Sequence, residues 1–191
     1  MKPVLLIRHG ATEGNLKKRY IGRTDEPLCP AGIAQLNLLS TPLPRCDFIF
    51  SSPLLRCRQT AELLFPQQPV LLTEGLKECD FGIFEGLTAT ELNNNPAYAE
   101  WLKNGCTSPI PGGEDIKAFK SRVTKAFLDI ILSLPDYHTV AFVMHGGCIM
   151  SILEHFCPGK GNFYDFHIDN GQWVSCNFQD NILTITGGAL C

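Results

Sequence analysis

Four short apolar runs, each closed by a polar or glycine-containing turn and separated by helical periodicity, confine this chain to an alternating α/β architecture. The runs are residues 3–7, "CDFIFSS" (46–52), "PVLLT" (69–73) and "TVAFVMH" (139–145). They are too short for ordinary helices and lack the polar alternation of half-exposed strands, so they read as strands buried on both faces of a parallel sheet. Helical patterns lie between them at 31–39, 54–65 and 114–134, the last with Ile116, Phe119, Val123, Phe127 and Ile130/Ile131 at helical spacing. A further helix is predicted from "HGGC" through "IMSILEHF", and "QWVSCNF" and "NILTITG" read as closing strands joined by a hairpin across 179–181. Strand and helix alternate as in an α/β three-layer sandwich, with a mostly parallel central sheet and helices on both faces. The 191 residues, 45% of them hydrophobic, suffice for one well-packed domain spanning 1–191 and are short for two. The stretch 79–113 is the least regular, with two readings: a lid or rim over a site, or an ordinary surface excursion.

A net charge of −3 and a pI near 5.9 argue against a general nucleic-acid or membrane-surface binder. Any anion site must then be a local gathering of Arg and Lys. No apolar run approaches the roughly 20 residues of a membrane span, and "MKPVLLIRHG" lacks the apolar core of a signal peptide, so a soluble, cytoplasmic protein is expected. The nine cysteines are odd in number, scattered and never spaced as Cys-x-x-Cys, which reads as buried free thiols rather than a zinc site or disulfide framework.

The chemistry-bearing residues fall at strand ends. "LLIRHGATEGN" places Arg8 and His9 where the first strand breaks into a Gly-containing turn, which suits an anion held by backbone N–H groups and a guanidinium fork. "SSPLLRCRQTAELL" sets Arg56 in the first turn of the helix after the second strand; the alternative is an exposed Arg pairing with Glu62. "MHGG" lets His145 leave the fourth strand as His9 leaves the first. Parallel strands deliver these ends to one edge, where open α/β sheets bind ligands. Two Arg and two His around one point suit a phosphoryl dianion, with a neutral imidazole as nucleophile. A departing alkoxide then needs a proton. Glu78 is the candidate acid, with Glu85 and Glu13 as rivals. Metal and cofactor are expected to be absent, and the partner is a small phosphorylated substrate.

In order, "LIRHGATEGN", "GRTDEPLCPAG", "SSPLLRCRQTA", "LKECDFGIFEG", "PGGED" before a helix, and "VMHGG" resemble the histidine phosphatase superfamily over nearly the whole chain. The resemblance is to the branch holding cofactor-dependent phosphoglycerate mutases, fructose-2,6-bisphosphatases and α-ribazole phosphatases, and implies a phosphoglycerate mutase-like fold. It further implies that His9 is phosphorylated, that Arg8, Arg56 and His145 form the phosphate pocket with Asn15 and backbone near Gly22, and that Glu78 is the proton donor. Arg23 and Gly146 join as substrate-binding positions. Mutases of this kind carry a Lys eleven residues beyond the donor Glu and paired Arg after a Trp, where this chain has Ala89 and Leu102-Lys103. They also carry a C-terminal tail, whereas this chain stops soon after its last strand. These departures favour hydrolysis, with α-ribazole 5′-phosphate as the best substrate; a mutase and a catalytically silent phospho-ligand binder are the alternatives. Arg23, Phe81, Phe84, Tyr98 and Trp101 are candidate rim residues. Cys29 replaces a usual Ser or Thr and Cys57 a usual Ala. Oligomeric state is left open.

Overall fold

The computed structural model describes residues 1–38 and 43–191. Its strands are β1 (Lys2–Arg8), β2 (Phe48–Ser51), β3 (Val70–Leu72), β4 (Val140–Met144), β5 (Trp173–Gln179) and β6 (Ile182–Gly188). Its helices are α1 (Glu13–Leu16), α2 (Pro30–Asn37), α3 (Leu55–Leu64), α4 (Ala89–Leu92), α5 (Pro96–Lys103), α6 (Ile116–Ser133) and α7 (Gly146–Phe156). The strands form one sheet in the order β3-β2-β4-β1-β5-β6. β1, β4, β2 and β3 pair in parallel, while β5 and β6 run antiparallel on the far side of β1.

Successive residues of the central strands serve opposite faces, as a pleated backbone requires. Val4, Leu6, Val140, Phe142 and Met144 join the core beneath α6 and α7. Leu5, Ile7, Ala141 and Val143 join a second core with Cys57 and Ala61 of α3. These continuous apolar runs are therefore buried on both sides, as expected. On α6, Phe119, Val123, Phe127 and Ile131 recur every four residues and are all buried. Asp115 starts that helix by accepting from the Ala118 N–H.

Two expectations are modified. β3 was expected to be fully buried, but it is the outer edge of the sheet, with Leu71 48% and Leu72 54% exposed. A short apolar run does not distinguish an edge from a centre, because that depends on which strand lies beside it. The segment 79–113 is more regular than its composition suggests, containing a 3-10 turn at Gly82–Phe84 as well as α4 and α5. Phe84, Leu92, Tyr98, Trp101 and Ile110 give it a small core of its own. Both helices are too short to show periodicity, yet Thr88 and Asn95 cap them and Pro96 sits in the first turn of α5. The expected helix at 31–39 ends with Leu39, which lies outside the described residues. The closing hairpin forms through Asp180 and Asn181, whose φ of 52° and 59° lie in the left-handed region these two residue types tolerate.

The register sets the site. Arg8 lies opposite Met144, the His9 N–H donates to the Met144 carbonyl at 2.9 Å, and the Ser52 N–H donates to the Val143 carbonyl at 3.0 Å. Three strand ends thus meet at one edge. Beneath them Phe127 packs on Phe142, Phe156 and Phe178 at centroid separations of 5.0, 5.3 and 6.0 Å. Phe127→Ala is expected to cost about 3–5 kcal/mol of unfolding free energy in urea titrations. A loss below about 1 kcal/mol would show that the surrounding rings collapse into the space.

Candidate active site

His9 stands one residue beyond β1, fully enclosed. Its Nδ1 lies 2.7 Å from the Gly10 carbonyl, which can only accept, so Nδ1 carries the proton. Nε2 is left with its lone pair, 3.2 Å from the donor-only Nε of Arg56. The same Arg56 N–H reaches Nδ1 of His145 at 3.2 Å, so the second ring has the other tautomer and donates from Nε2 to Ser52 Oγ at 2.8 Å. The ring centroids are 5.1 Å apart. Burial, followed by the nearby guanidinium of Arg56, holds both imidazoles well below their ordinary pKa. Both rings are therefore neutral at neutral pH.

Arg56 is completely buried, which excludes an exposed pairing with Glu62. Its Nη1 and Nη2 donate to the carbonyls of Thr24 and Gly22, each at 2.8 Å. Asp25 of the same loop accepts from the Leu55 N–H at 2.6 Å and so supplies the cap that Leu54 cannot. Arg8 donates from Nη1 to the Ile168 carbonyl at 2.6 Å, while its Nε is buried without a partner. Gly146 allows this approach, since a Cβ there would lie 3.3 Å from the guanidinium.

Glu78 sits against the first turn of α7. Its carboxyl oxygens accept from the N–H groups of Cys79 at 3.0 Å and Gly147 at 2.9 Å. A side chain at position 147 would meet Glu78 Oε1 at 2.4 Å. Burial raises the Glu78 pKa above the ordinary carboxyl value, although these hydrogen bonds and the guanidinium groups oppose it. The two rivals are occupied elsewhere. Glu85 accepts from the N–H groups of Gly22 (2.9 Å), Arg23 (2.8 Å) and Phe81 (3.2 Å) and from Thr24 Oγ (2.9 Å). Glu13 is exposed, 4.0 Å from Lys17.

A cavity of about 250 Å³ opens beside Arg8 and Glu78 and is lined also by Asn15, Gly146, Phe81, Trp101, Phe119 and Tyr164, whereas His9, Arg56 and His145 are not among its lining residues. Asn15 closes a capping box with Thr12, and its Oδ1 also accepts from Asn170 Nδ2 at 3.2 Å, leaving its amide hydrogens for a ligand. The Gly22 N–H donates to Glu85 at 2.9 Å and its carbonyl accepts from Arg56 at 2.8 Å. Arg23 turns to Glu114 at 3.7 Å and lies outside the cavity wall. Phe84 and Tyr98 belong to the small core, not to the cavity. Cys29 caps α2, its Sγ accepting from the Gly32 N–H at 3.4 Å. Cys57 packs 3.5 Å from His145 Nε2, with burial pushing its thiol up to about 12.

Sequence reasoning missed Ser52, His167 and Asn170. Ser52 lies inside a motif already singled out. His167 approaches Arg8 Nη1 at 3.2 Å and Asn170 donates to the His9 carbonyl at 3.2 Å, from 159 and 161 residues away. No local pattern announces such contacts.

The buried histidines make stability depend on pH. Their pKa in the fold is lowered, so their contribution is present above about 6.5 and is lost as pH falls toward the native values. Glu78, with a raised pKa, has the opposite sign: its contribution is present in acid and lost as pH rises. We expect His9→Gln to lose less stability than the parent between neutrality and about pH 5 in urea titrations, and Glu78→Gln to lose more. Parallel losses in all three proteins would contradict these charge states.

A family model for the histidine phosphatase superfamily (branch 1) matches residues 4–187. A putative phosphoserine phosphatase 2 of Hydrogenobacter thermophilus is 32% identical over 97% of this chain and 94% of its own. An adenosylcobalamin/alpha-ribazole phosphatase of Salmonella typhimurium is 28% identical over 94% and 92% of the two chains. Among solved structures, a putative alpha-ribazole-5′-P phosphatase from Escherichia coli superposes with a TM-score of 0.87 at 26% identity, covering 97% of this chain and 94% of that one. The chain belongs to the histidine phosphatase superfamily, branch 1, and is a phosphatase enzyme.

Proposed function

We propose that the protein is a phosphomonoesterase that works through a phosphohistidine at His9, with Glu78 as acid and then base. The observation that carries this reading is the His9 tautomer. With Nδ1 held on the Gly10 carbonyl, the Nε2 lone pair faces the buried Arg56 guanidinium, to which this reading assigns the phosphoryl group. A dianion bound among Arg8, Arg56, Asn15 and His145 replaces the contacts Arg56 makes to the two rings and meets the unpartnered Arg8 Nε. His9 Nε2 attacks phosphorus in line as the ester P–O bond breaks, and Glu78 gives its proton to the departing alkoxide. Glu78, now a carboxylate, takes a proton from water as that water attacks the phosphohistidine, which releases phosphate and restores both residues. Arg8 and Arg56 supply the positive charge the transition state needs, so no metal enters the scheme.

The best substrate is α-ribazole 5′-phosphate. The cavity lining includes the aromatic rings of Phe81, Trp101, Phe119 and Tyr164, which suits the face of a heteroaromatic nucleoside. Relatives named alpha-ribazole phosphatases support it. Phosphoserine, suggested by another relative's name, would set an ammonium and a carboxylate against those rings. A mutase would need cations where Ala89 and Leu102 stand, and Leu102 is 48% exposed.

His9→Ala should abolish turnover while unfolding as the parent does. In the parent, rapid quenching in alkaline denaturant, with excess EDTA present throughout the reaction, should trap acid-labile phosphate on His9. Near-normal activity in the variant would remove the mechanism. Glu78→Gln should slow His9 phosphorylation by alkyl phosphates far more than by p-nitrophenyl phosphate, because nitrophenolate departs without a proton. Single-turnover rates measure this directly, and equal losses would take the acid role from Glu78.

A further inference from the structure

The "PGGED" turn and the helix after it supply no charged group to the cavity lining, yet they grip the chain on both sides of Glu78. Arg122 projects from α6 and donates from Nη1 to the carbonyls of Gly75 at 2.9 Å and Lys77 at 3.0 Å. The second carbonyl belongs to the peptide that carries the Glu78 nitrogen. The other edge of the same guanidinium makes a two-point pair with Glu114, Nε to Oε1 at 2.9 Å and Nη2 to Oε2 at 2.8 Å. Glu114 in turn donates its backbone N–H to the Asp80 carbonyl at 2.9 Å, two residues beyond Glu78. One ion pair thus ties down positions 75, 77 and 80. Packing agrees: Gly75 lies against α6 so closely that a Cβ would meet that of Ala126, one turn along from Arg122, at 2.4 Å.

From this geometry we infer that Arg122 and Glu114 form a positioning pair for Glu78, holding the acid over the leaving-group oxygen. This rests on the acid role proposed above. Beyond its own two N–H contacts, the Glu78 carboxyl depends on the backbone of 75–80 for its place. A shift of well under the length of a hydrogen bond would spoil proton transfer, which requires heavy atoms within about 2.6–3.2 Å. An arginine suits the task because its planar fork serves two carbonyls and a carboxylate at once, whereas a lysine reaches them one at a time. Burial is partial: the Arg122 side chain is 25% exposed and that of Glu114 16%.

The test is the leaving-group comparison, made on single-turnover phosphorylation of His9. Arg122→Gln is expected to lose about tenfold more rate with an alkyl phosphate than with p-nitrophenyl phosphate, a part of what general acid catalysis supplies. Arg122→Lys should recover some of that difference. Equal losses on both substrates would overturn the inference, since a loosened fold slows every substrate alike. If Arg122→Gln does not fold by circular dichroism, Glu114→Gln carries the same comparison, because it keeps the side-chain shape and removes the charge. Glu78→Gln runs beside them. Selectivity in Glu78→Gln without selectivity in the clamp variants refutes the clamp alone; no selectivity in Glu78→Gln withdraws the acid role and the clamp with it.

Discussion

A fully buried guanidinium governs this structure. Arg56 has no exposed surface, and among the described residues no carboxylate forms an ion pair with it. Removing such a charge from water is costly unless its donors are satisfied. Two carbonyls of the 22–24 loop accept from its terminal nitrogens, and its Nε–H is divided between two imidazoles, which leaves one N–H on each terminal nitrogen. Most of its donors are engaged, but the charge is not balanced. Burial first, and the unbalanced field of Arg56 second, keep His9 and His145 unprotonated.

The rest of the architecture serves that burial. The parallel pairing of β1, β4 and β2 brings three chain reversals to one edge, and the cores on either face of the sheet hold those reversals rigid. The loop that cradles Arg56 would otherwise be free, since its residues belong to no strand or helix. Glu85 secures it from the opposite side through three N–H groups and a hydroxyl. Each carboxylate around the site is thus defined by where its oxygens are spent. Glu85 is consumed by backbone, whereas Glu78 is held by only two N–H groups and stays beside the cavity.

The segment 79–113 joins these functions. It starts beside Glu78, lends Phe81 and Trp101 to the cavity, and ends in the turn that pairs with Arg122. Its small core is joined to the core beneath α6 and α7 through Phe81 and Ile116, which pack against both.

The sequence by itself determined the central strands, the long helices and the gathering of Arg8, His9, Arg56 and His145. These follow from local signals: apolar runs of strand length, apolar spacing of helical period, and reactive residues at the point where a parallel strand must end. It did not decide that β3 is an edge, because exposure depends on the neighbour in the sheet. Glu78 is the first candidate acid and the one the family resemblance implies, but the residues' own pattern leaves Glu85 and Glu13 as rivals, for the surroundings of a carboxyl are set by which N–H groups reach it and how much water is excluded. Asn170 and His167 reach the site from the other end of the chain, and Glu85 and Glu114 meet the Gly22 N–H and the Arg23 guanidinium. Only the tertiary structure decided these, since contacts between residues far apart in the chain are fixed by the packing of the sheet and leave no pattern in either stretch of sequence.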